Sequence, residues 1–147
     1  MKTVVVIGAG MSGLTAARHL AEAGLRAVVL DKGRAVGGRM ATRRIDKATF
    51  DHGAQHISVR TEPFARVMEH LVARGTARVW LRTASLTHPE RGIEERYAGE
   101  GGMRRIPEDL AHGLDVTTAA TVEALAITER RVRAIADGRV IAEGDAV

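Results

Sequence analysis

The stretch TVVVIGAGMSGLTAARHLAEAGLRAVVLD, residues 3–31, decides how this chain folds. Thr3 to Gly8 is a continuous β-branched run, the composition of a central parallel strand covered on both faces. Ser12 to Ala23 then sets Leu14, Ala17, Leu20 and Ala21 on one stripe, and Gly24 stands where a helix stops. Arg26 to Asp31 is a second apolar strand. Strand, helix and strand within about thirty residues make a βαβ unit, and its crossover is right-handed. The same opening has the outline of a secretory leader. Only Lys2 precedes it, however, glycines break its apolar run, and an amphipathic helix follows, so it is predicted as a buried strand.

Where the first strand becomes the helix, Gly8-Ala9-Gly10-Met11-Ser12-Gly13 spells GxGxxG. The first glycine permits the tight turn, the second lets backbone approach a pyrophosphate, and the third lets helix and strand pack closely. The helix start then offers unpaired N–H groups and the positive end of a dipole to a diphosphate. Asp31 closes the second strand eighteen residues after Gly13, close to the ~20 expected of an acid that accepts ribose hydroxyls. A carboxylate there repels a 2′-phosphate and disfavours NADP. Lys32 and Arg34 weaken that preference without reversing it. Read alone, these residues call for a dinucleotide and leave a small NAD-binding module open.

The following loop adds Gly37-Gly38-Arg39. Paired glycines allow close backbone approach to a cofactor, and a guanidinium can pair with its phosphates. The run Asp31-Lys32-Gly33-Arg34-Ala35-Val36-Gly37-Gly38-Arg39-Met40-Ala41-Thr42, taken with GxGxxG, resembles the renalase and amine-oxidase branch of the flavoproteins. Phe50-Asp51-His52-Gly53-Ala54-Gln55 is similar to the D-x-G-A-Q segment that this family sets beside the flavin. Gly102-Met103-Arg104-Arg105-Ile106-Pro107, continued by Leu110-Ala111 and Gly113-Leu114-Asp115-Val116, resembles renalase-like sequences. Thr121-Val122 falls where the family makes a backbone contact to adenine. A small residue commonly follows the Gly-Met pair in the family; Arg104 departs from that.

The resemblance runs over nearly the whole chain and corresponds to the N-terminal half of the family's architecture. It implies FAD as cofactor, held by Gly8, Ala9, Gly10, Met11, Ser12, Gly13, Asp31, Lys32, Gly37, Gly38, Arg39, Met40, Gly53, Ala54, Gln55 and Val122, with Gln55 nearest the isoalloxazine. It further implies a flavin oxidase that takes a hydride from its substrate and passes the electrons to oxygen. Renalase-like members act on reduced nicotinamide dinucleotides, and the broader branch on amines. No acid–base pair stands out and no catalytic residue is named, which fits chemistry carried by the cofactor.

The rest of the chain supplies further elements. Phe50 to Val59 reads as short extended pieces. Glu62 to Arg74 is an amphipathic helix with Phe64, Val67, Met68, Leu71 and Val72 toward a core, Thr61 as cap, Pro63 in the first turn and Gly75 at the end. Arg78 to Thr83 and Glu94 to Ala98 read as strands, with Trp80 and Tyr97 partly buried, and Pro107 to His112 as a short helix. Thr121 to Thr128, Val132 to Ala136 and Arg139 to Ala142 form a β-meander whose last turn is Asp137-Gly138.

The expected fold is α/β: a Rossmann-type FAD-binding domain with a three-stranded β-meander and part of an inserted substrate-facing layer. The expected divisions are 1–60, 61–104 and 105–147. Gly144-Asp145-Ala146-Val147 reads as the start of one more buried strand, which leaves the sheet incomplete. A non-catalytic, truncated FAD-binding fragment is therefore the rival expectation, completed by a C-terminal half or by self-association through an open sheet edge.

Composition narrows the remaining classes. The 147 residues are 45% hydrophobic and 27% charged, the balance of a globular domain. With no cysteine there is no disulfide or thiolate chemistry, which suits the cytoplasm. The charge of +4 comes from arginines scattered in pairs among acids, and aromatics make up only 3%, so a nucleic-acid partner is not expected. No apolar run reaches the ~20 residues of a membrane span. His52 and His56 stand four apart in an extended-looking stretch, so no metal site is expected. Phosphate-loop and nucleophile-elbow motifs are absent from the sequence.

Overall fold

The computed structural model describes residues 1–85 and 88–147. In chain order its elements are β1 (Thr3–Ile7), α1 (Met11–Glu22), β2 (Arg26–Leu30), β3 (Thr42–Ile45), β4 (Ala48–Asp51), β5 (Ile57–Ser58) and α2 (Glu62–Ala73). Then follow β6 (Ala77–Ala84), β7 (Ile93–Gly99), α3 (Arg105–Ala111), β8 (Asp115–Thr117), β9 (Ala124–Ile127), β10 (Val132–Ala136) and β11 (Arg139–Gly144). The architecture is mixed α/β with a Rossmann-like βαβ start. The chain divides into two compact units, Met1–Gly38 with Leu110–Val147, and Arg39–Asp109.

In the first unit β1, β2 and β8 form a parallel sheet with β2 in the middle. Alternation along β2 explains its uninterrupted apolar run. Ala27 and Val29 pack with Leu14 and Ala17 of α1, while Val28 and Leu30 face the other way with Val5 toward Ala134 and Ala142 of the meander. The sheet is thus covered on one face by helix and on the other by β9–β10–β11. Leu14 and Val29 are fully buried, and each contributes about 1.5–3 kcal/mol by leaving water.

Helix α1 ends as read. Gly24, at φ 76, donates to the Ala21 carbonyl at 3.0 Å, and the Leu25 N–H reaches the Leu20 carbonyl at 2.9 Å, the paired bonds of a glycine-terminated helix. Asp137 and Gly138, at φ 48 and 68, turn the chain between β10 and β11. Ala146 makes an isolated parallel bridge with Val4, and its carbonyl accepts the Val5 N–H at 2.9 Å. The last residues therefore lie beside β1, as a bridge rather than a strand.

In the second unit β3 and β4 form a hairpin, and β5, β7 and β6 an antiparallel sheet with α2 packed on β6. Three local readings need correction here. Thr61 occupies the N-cap of α2 in extended conformation, but its hydroxyl makes no capping bond. Val67 and Val72 are 39% and 37% exposed, so the stripe read as core is closed only at Met68 and Leu71. Trp80, read as partly buried, is 46% exposed. The short helix α3 begins at Arg105, ahead of Pro107, with Ile106 and Pro107 both buried. Among the described residues no helix is long and apolar enough to cross a membrane.

Candidate cofactor-binding site

The glycine-rich loop joins β1 to α1 in the first unit. Gly8 takes φ 103, a conformation that side chains rarely adopt. A Cβ on Gly13 would lie 2.0 Å from the Gly8 carbonyl oxygen, so helix and loop approach too closely for any other residue. Gly10 is different. Its φ of −81 and ψ of 180 suit any amino acid, and a Cβ there would meet nothing within 4 Å. The chain's own packing thus explains Gly8 and Gly13 and leaves Gly10 unexplained, unless something outside the chain needs that space.

Gly10 is also the N-cap of α1, and the first helical bond runs from the Leu14 N–H to the Gly10 carbonyl at 3.0 Å. The N–H groups of Met11, Ser12 and Gly13 have no intrahelical acceptor, and no side chain caps them. No acidic residue lies in the first turn. This helix end is therefore an open cluster of donors at the positive pole of a twelve-residue helix.

Asp31 is half-buried and tied into the same loop. Its Oδ2 accepts the Ala9 N–H at 2.6 Å and its Oδ1 accepts the Gly33 N–H at 2.6 Å. Each oxygen keeps further lone-pair capacity for a hydroxyl donor. Around it, the Asp31 N–H donates to the Thr117 carbonyl and the Asp31 carbonyl accepts from Ala120, both at 2.9 Å. Lys32 is exposed. Val122 packs among Val5, Leu30 and Ala134, two residues beyond Ala120, whose N–H bonds the Asp31 carbonyl.

Gly37 is drawn onto the glycine-rich loop. Its N–H donates to the Ala9 carbonyl at 2.8 Å, it bridges Gly10 in parallel, and Gly38 lies close enough that its Cβ would reach the Gly10 Cα at 3.5 Å. The first unit thus brings GxGxxG, Asp31 and the two glycines of the following loop to one place.

The other site residues lie in the second unit. The Arg39 carbonyl accepts the Ala54 N–H at 2.7 Å, and a Cβ on Gly53 would fall 2.0 Å from that same oxygen. Arg39 and the Gly53-Ala54 turn are therefore one packed piece. The Arg39 side chain is exposed and makes no ion pair among the described residues. Met40 is buried at 7% exposure.

Gln55 lines a cavity of about 480 Å³ with Phe50, Asp51, Arg78 and Trp80. Its aromatic walls were not legible as a pair: Phe50 and Trp80 are thirty residues apart and stand in different sheets. Trp80 also stacks on His56, with ring centroids 6.2 Å apart. Among the described residues no three His, Cys, Asp or Glu gather as a metal site.

Comparisons with known proteins bear on the N-terminal region and on the fold. Residues 6–73 match the family described as an NAD(P)-binding Rossmann-like domain. An L-amino acid oxidase of Lachesis muta is 56% identical over 46 residues, which is 31% of this chain and 9% of that protein. The putrescine oxidase of Kocuria rosea is 45% identical over 69 residues, 46% of this chain and 14% of that protein. Among solved structures, a wild-type putrescine oxidase bound to putrescine superposes with a TM-score of 0.68 at 17% identity, over 99% of this chain and 55% of that one. The chain thus spans about half the length of that oxidase, and at this identity the likeness is one of fold.

Proposed function

We propose, from an N-terminal region that is an NAD(P)-binding Rossmann-like domain, that this chain holds FAD and serves a flavin-dependent oxidation of an amine-type substrate. The observation that carries the reading is Gly10: a glycine that the fold does not require, beside free helix N–H groups and a carboxylate fixed to the same loop. A dinucleotide accounts for all three at once. The diphosphate takes the donors and the positive helix end, the empty volume over Gly10 lets it approach, and Asp31 receives ribose hydroxyls.

FAD is preferred to NAD because Gly37-Gly38-Arg39 and Asp51-His52-Gly53-Ala54-Gln55 follow the flavoprotein pattern, and because the relatives above are oxidases. In the first unit the holding residues are Gly8 to Gly13, Asp31, Lys32, Gly37, Gly38 and Val122. In the second, the proposal extends to Arg39, Met40, Gly53, Ala54 and Gln55 on sequence grounds. The stretch 61–104 is proposed as the substrate-facing layer. When bound, FAD supplies a two-electron acceptor for a substrate hydride that oxygen can reoxidise. The chain's own part is to bind, orient and exclude water; no side chain is assigned as acid or base.

Amines stand ahead of reduced nicotinamide dinucleotides, the renalase-like alternative, because the matched relatives are named for amine and amino-acid substrates. The test is anaerobic mixing of the FAD-loaded chain with a diamine, an L-amino acid or NADH in turn, while the flavin absorbance is followed. Bleaching by the amines supports the reading. Bleaching by NADH alone moves it to the renalase-like class. No bleaching by any of them, with FAD bound, contradicts a substrate-oxidising role and leaves a cofactor-holding fragment.

A further inference from the structure

The arginine pairs Arg43-Arg44 and Arg104-Arg105 are sixty residues apart and read from sequence as solvated surface with possible phosphate contacts. The second unit instead gathers three of these side chains around one cavity. This cavity, of about 240 Å³, is lined by Arg44 from β3, by Arg104 and Arg105 at the start of α3, and by Glu100, Glu108 and the Gly101-Gly102 turn. It adjoins the cavity that Gln55 and Trp80 line, with the Gly101-Gly102 turn common to both.

The charges around it do not cancel. Glu108 pairs with the Arg104 Nε at 3.2 Å, and Glu100 pairs with Arg78, which does not line the cavity, at 3.2 Å. Arg44 and Arg105 have no ion pair among the described residues. Two unmatched guanidiniums therefore face a concavity whose acids are already engaged.

The arrangement is held in place from beneath. The Arg104 N–H donates to Thr42 Oγ1 at 3.0 Å, the Thr42 hydroxyl donates to Asp51 Oδ1, and that oxygen also accepts the Met103 N–H at 2.9 Å. Thr42 and Met103 are buried at 7% and 0% exposure. This links the strand that carries Arg44 to the turn that carries Arg104 and Arg105, so both sides of the cavity are set by one hydrogen-bonded core.

We propose that this cavity binds a small oxyanion, a phosphate or phosphomonoester, through Arg44 and Arg105. Planar guanidiniums that converge from two elements suit the bidentate recognition of such a group, and the volume admits it. Arg104, the departure from the small residue common in the family, walls the site and engages Glu108 there. The site is built from the second unit alone and does not depend on the flavin reading.

The test is isothermal titration of the purified chain with inorganic phosphate and, separately, ribose 5-phosphate at low ionic strength, with and without saturating FAD. One saturable site per chain is expected. Arg44→Ala and Arg105→Ala should each weaken it about tenfold or more. Arg43→Ala, at the strand neighbour that does not line the cavity, should leave it unchanged. The tighter of the two probes identifies the source as free phosphate or a phosphorylated metabolite.

Absence of saturable binding by either probe overturns the proposal. So does binding that survives both substitutions, or phosphate displaced by FAD, since the arginines would then serve the dinucleotide. Titration without FAD reads this site even if the chain proves to hold no flavin. All three arginine variants are at exposed positions, and a thermal melt of each checks that it is folded.

Discussion

Asp31 fastens the glycine-rich loop: its Oδ2 accepts the Ala9 N–H at 2.6 Å, across 22 residues of chain. The carboxylate proposed to receive a ribose is thus also the group that holds the phosphate-facing turn in shape. Its second oxygen does the same for the Gly33 N–H. Removal of the carboxylate should therefore cost stability and cofactor affinity together. Asp31→Ala is expected to lose about 1–3 kcal/mol of stability and to weaken FAD binding by more than tenfold. Asp31→Asn, which keeps an acceptor but loses the charge, should fall between. Urea melts and FAD titration of both variants check this.

Gly10 and Gly53 separate ligand from fold. At Gly53 an added Cβ meets the Arg39 backbone oxygen at 2.0 Å, and backbone cannot step aside. Gly53→Ala should cost about 3 kcal/mol. At Gly10 the Cβ meets nothing, so Gly10→Ala should change stability by less than about 1 kcal/mol while FAD affinity drops sharply. Thermal melts beside FAD titrations distinguish the two behaviours. Equal FAD affinity for wild type and Gly10→Ala would remove the main argument for a dinucleotide at this helix.

The Thr42–Asp51–Met103 network should behave as a unit. Thr42→Val leaves the Arg104 N–H without its acceptor and removes one of the two donors to Asp51 Oδ1, at a cost of about 1–3 kcal/mol. Thr42→Ser should recover most of it. A double-mutant cycle of Thr42→Val with Asp51→Asn is expected to show coupling of about 0.5–3 kcal/mol; additive losses would mean the two side chains act independently.

Tyr97 is the single tyrosine, so its ionisation can be followed by absorbance without ambiguity. Its hydroxyl donates to Glu95 Oε2 at 2.6 Å. That bond, with burial, holds the phenol above its usual value of 10, and it also lowers Glu95, with help from Arg82. The signs are opposite. The Tyr97 contribution to stability is present below pH 10 and disappears as pH rises through the raised value. The Glu95 contribution is present above the ordinary value of 4.5 and disappears as pH falls through the lowered one. Glu95→Gln should move the tyrosine midpoint back toward 10; an unchanged midpoint would remove Glu95 as the cause.

The sequence and the structure part company in particular places. β1, α1 and β2 were readable because Val4 to Ile7 and Ala27 to Leu30 are apolar on both faces, and Gly24 ends the helix by a local rule. The third parallel strand, β8, was not. Asp115-Val116-Thr117 has one apolar residue, and only its pairing with Val28 to Leu30 makes it a strand. The β3–β4 hairpin was missed for a similar reason: Arg43, Arg44 and Ile45 are all exposed, and the turn uses Asp46 at φ 52 without a glycine. Thr61 had the right residue type and position for a cap, but its side chain makes no capping bond.

At the candidate site, motif spacing was enough to name Gly8 to Gly13 and Asp31, because the chemistry is local to one turn and one strand end. The loop bond from Asp31 to Ala9 and the convergence of Arg44 with Arg105 depend on side-chain direction across distant elements. Nothing in linear spacing reports such direction.

The most direct measurement is the visible absorbance spectrum of the purified chain after incubation with FAD and removal of the excess, with the flavin then released by heat and identified. The account expects a bound-flavin spectrum at close to one FAD per chain, and its loss in Gly10→Ala. A protein that stays colourless, while wild type and variant melt alike, would contradict the claim that this glycine-rich turn holds FAD.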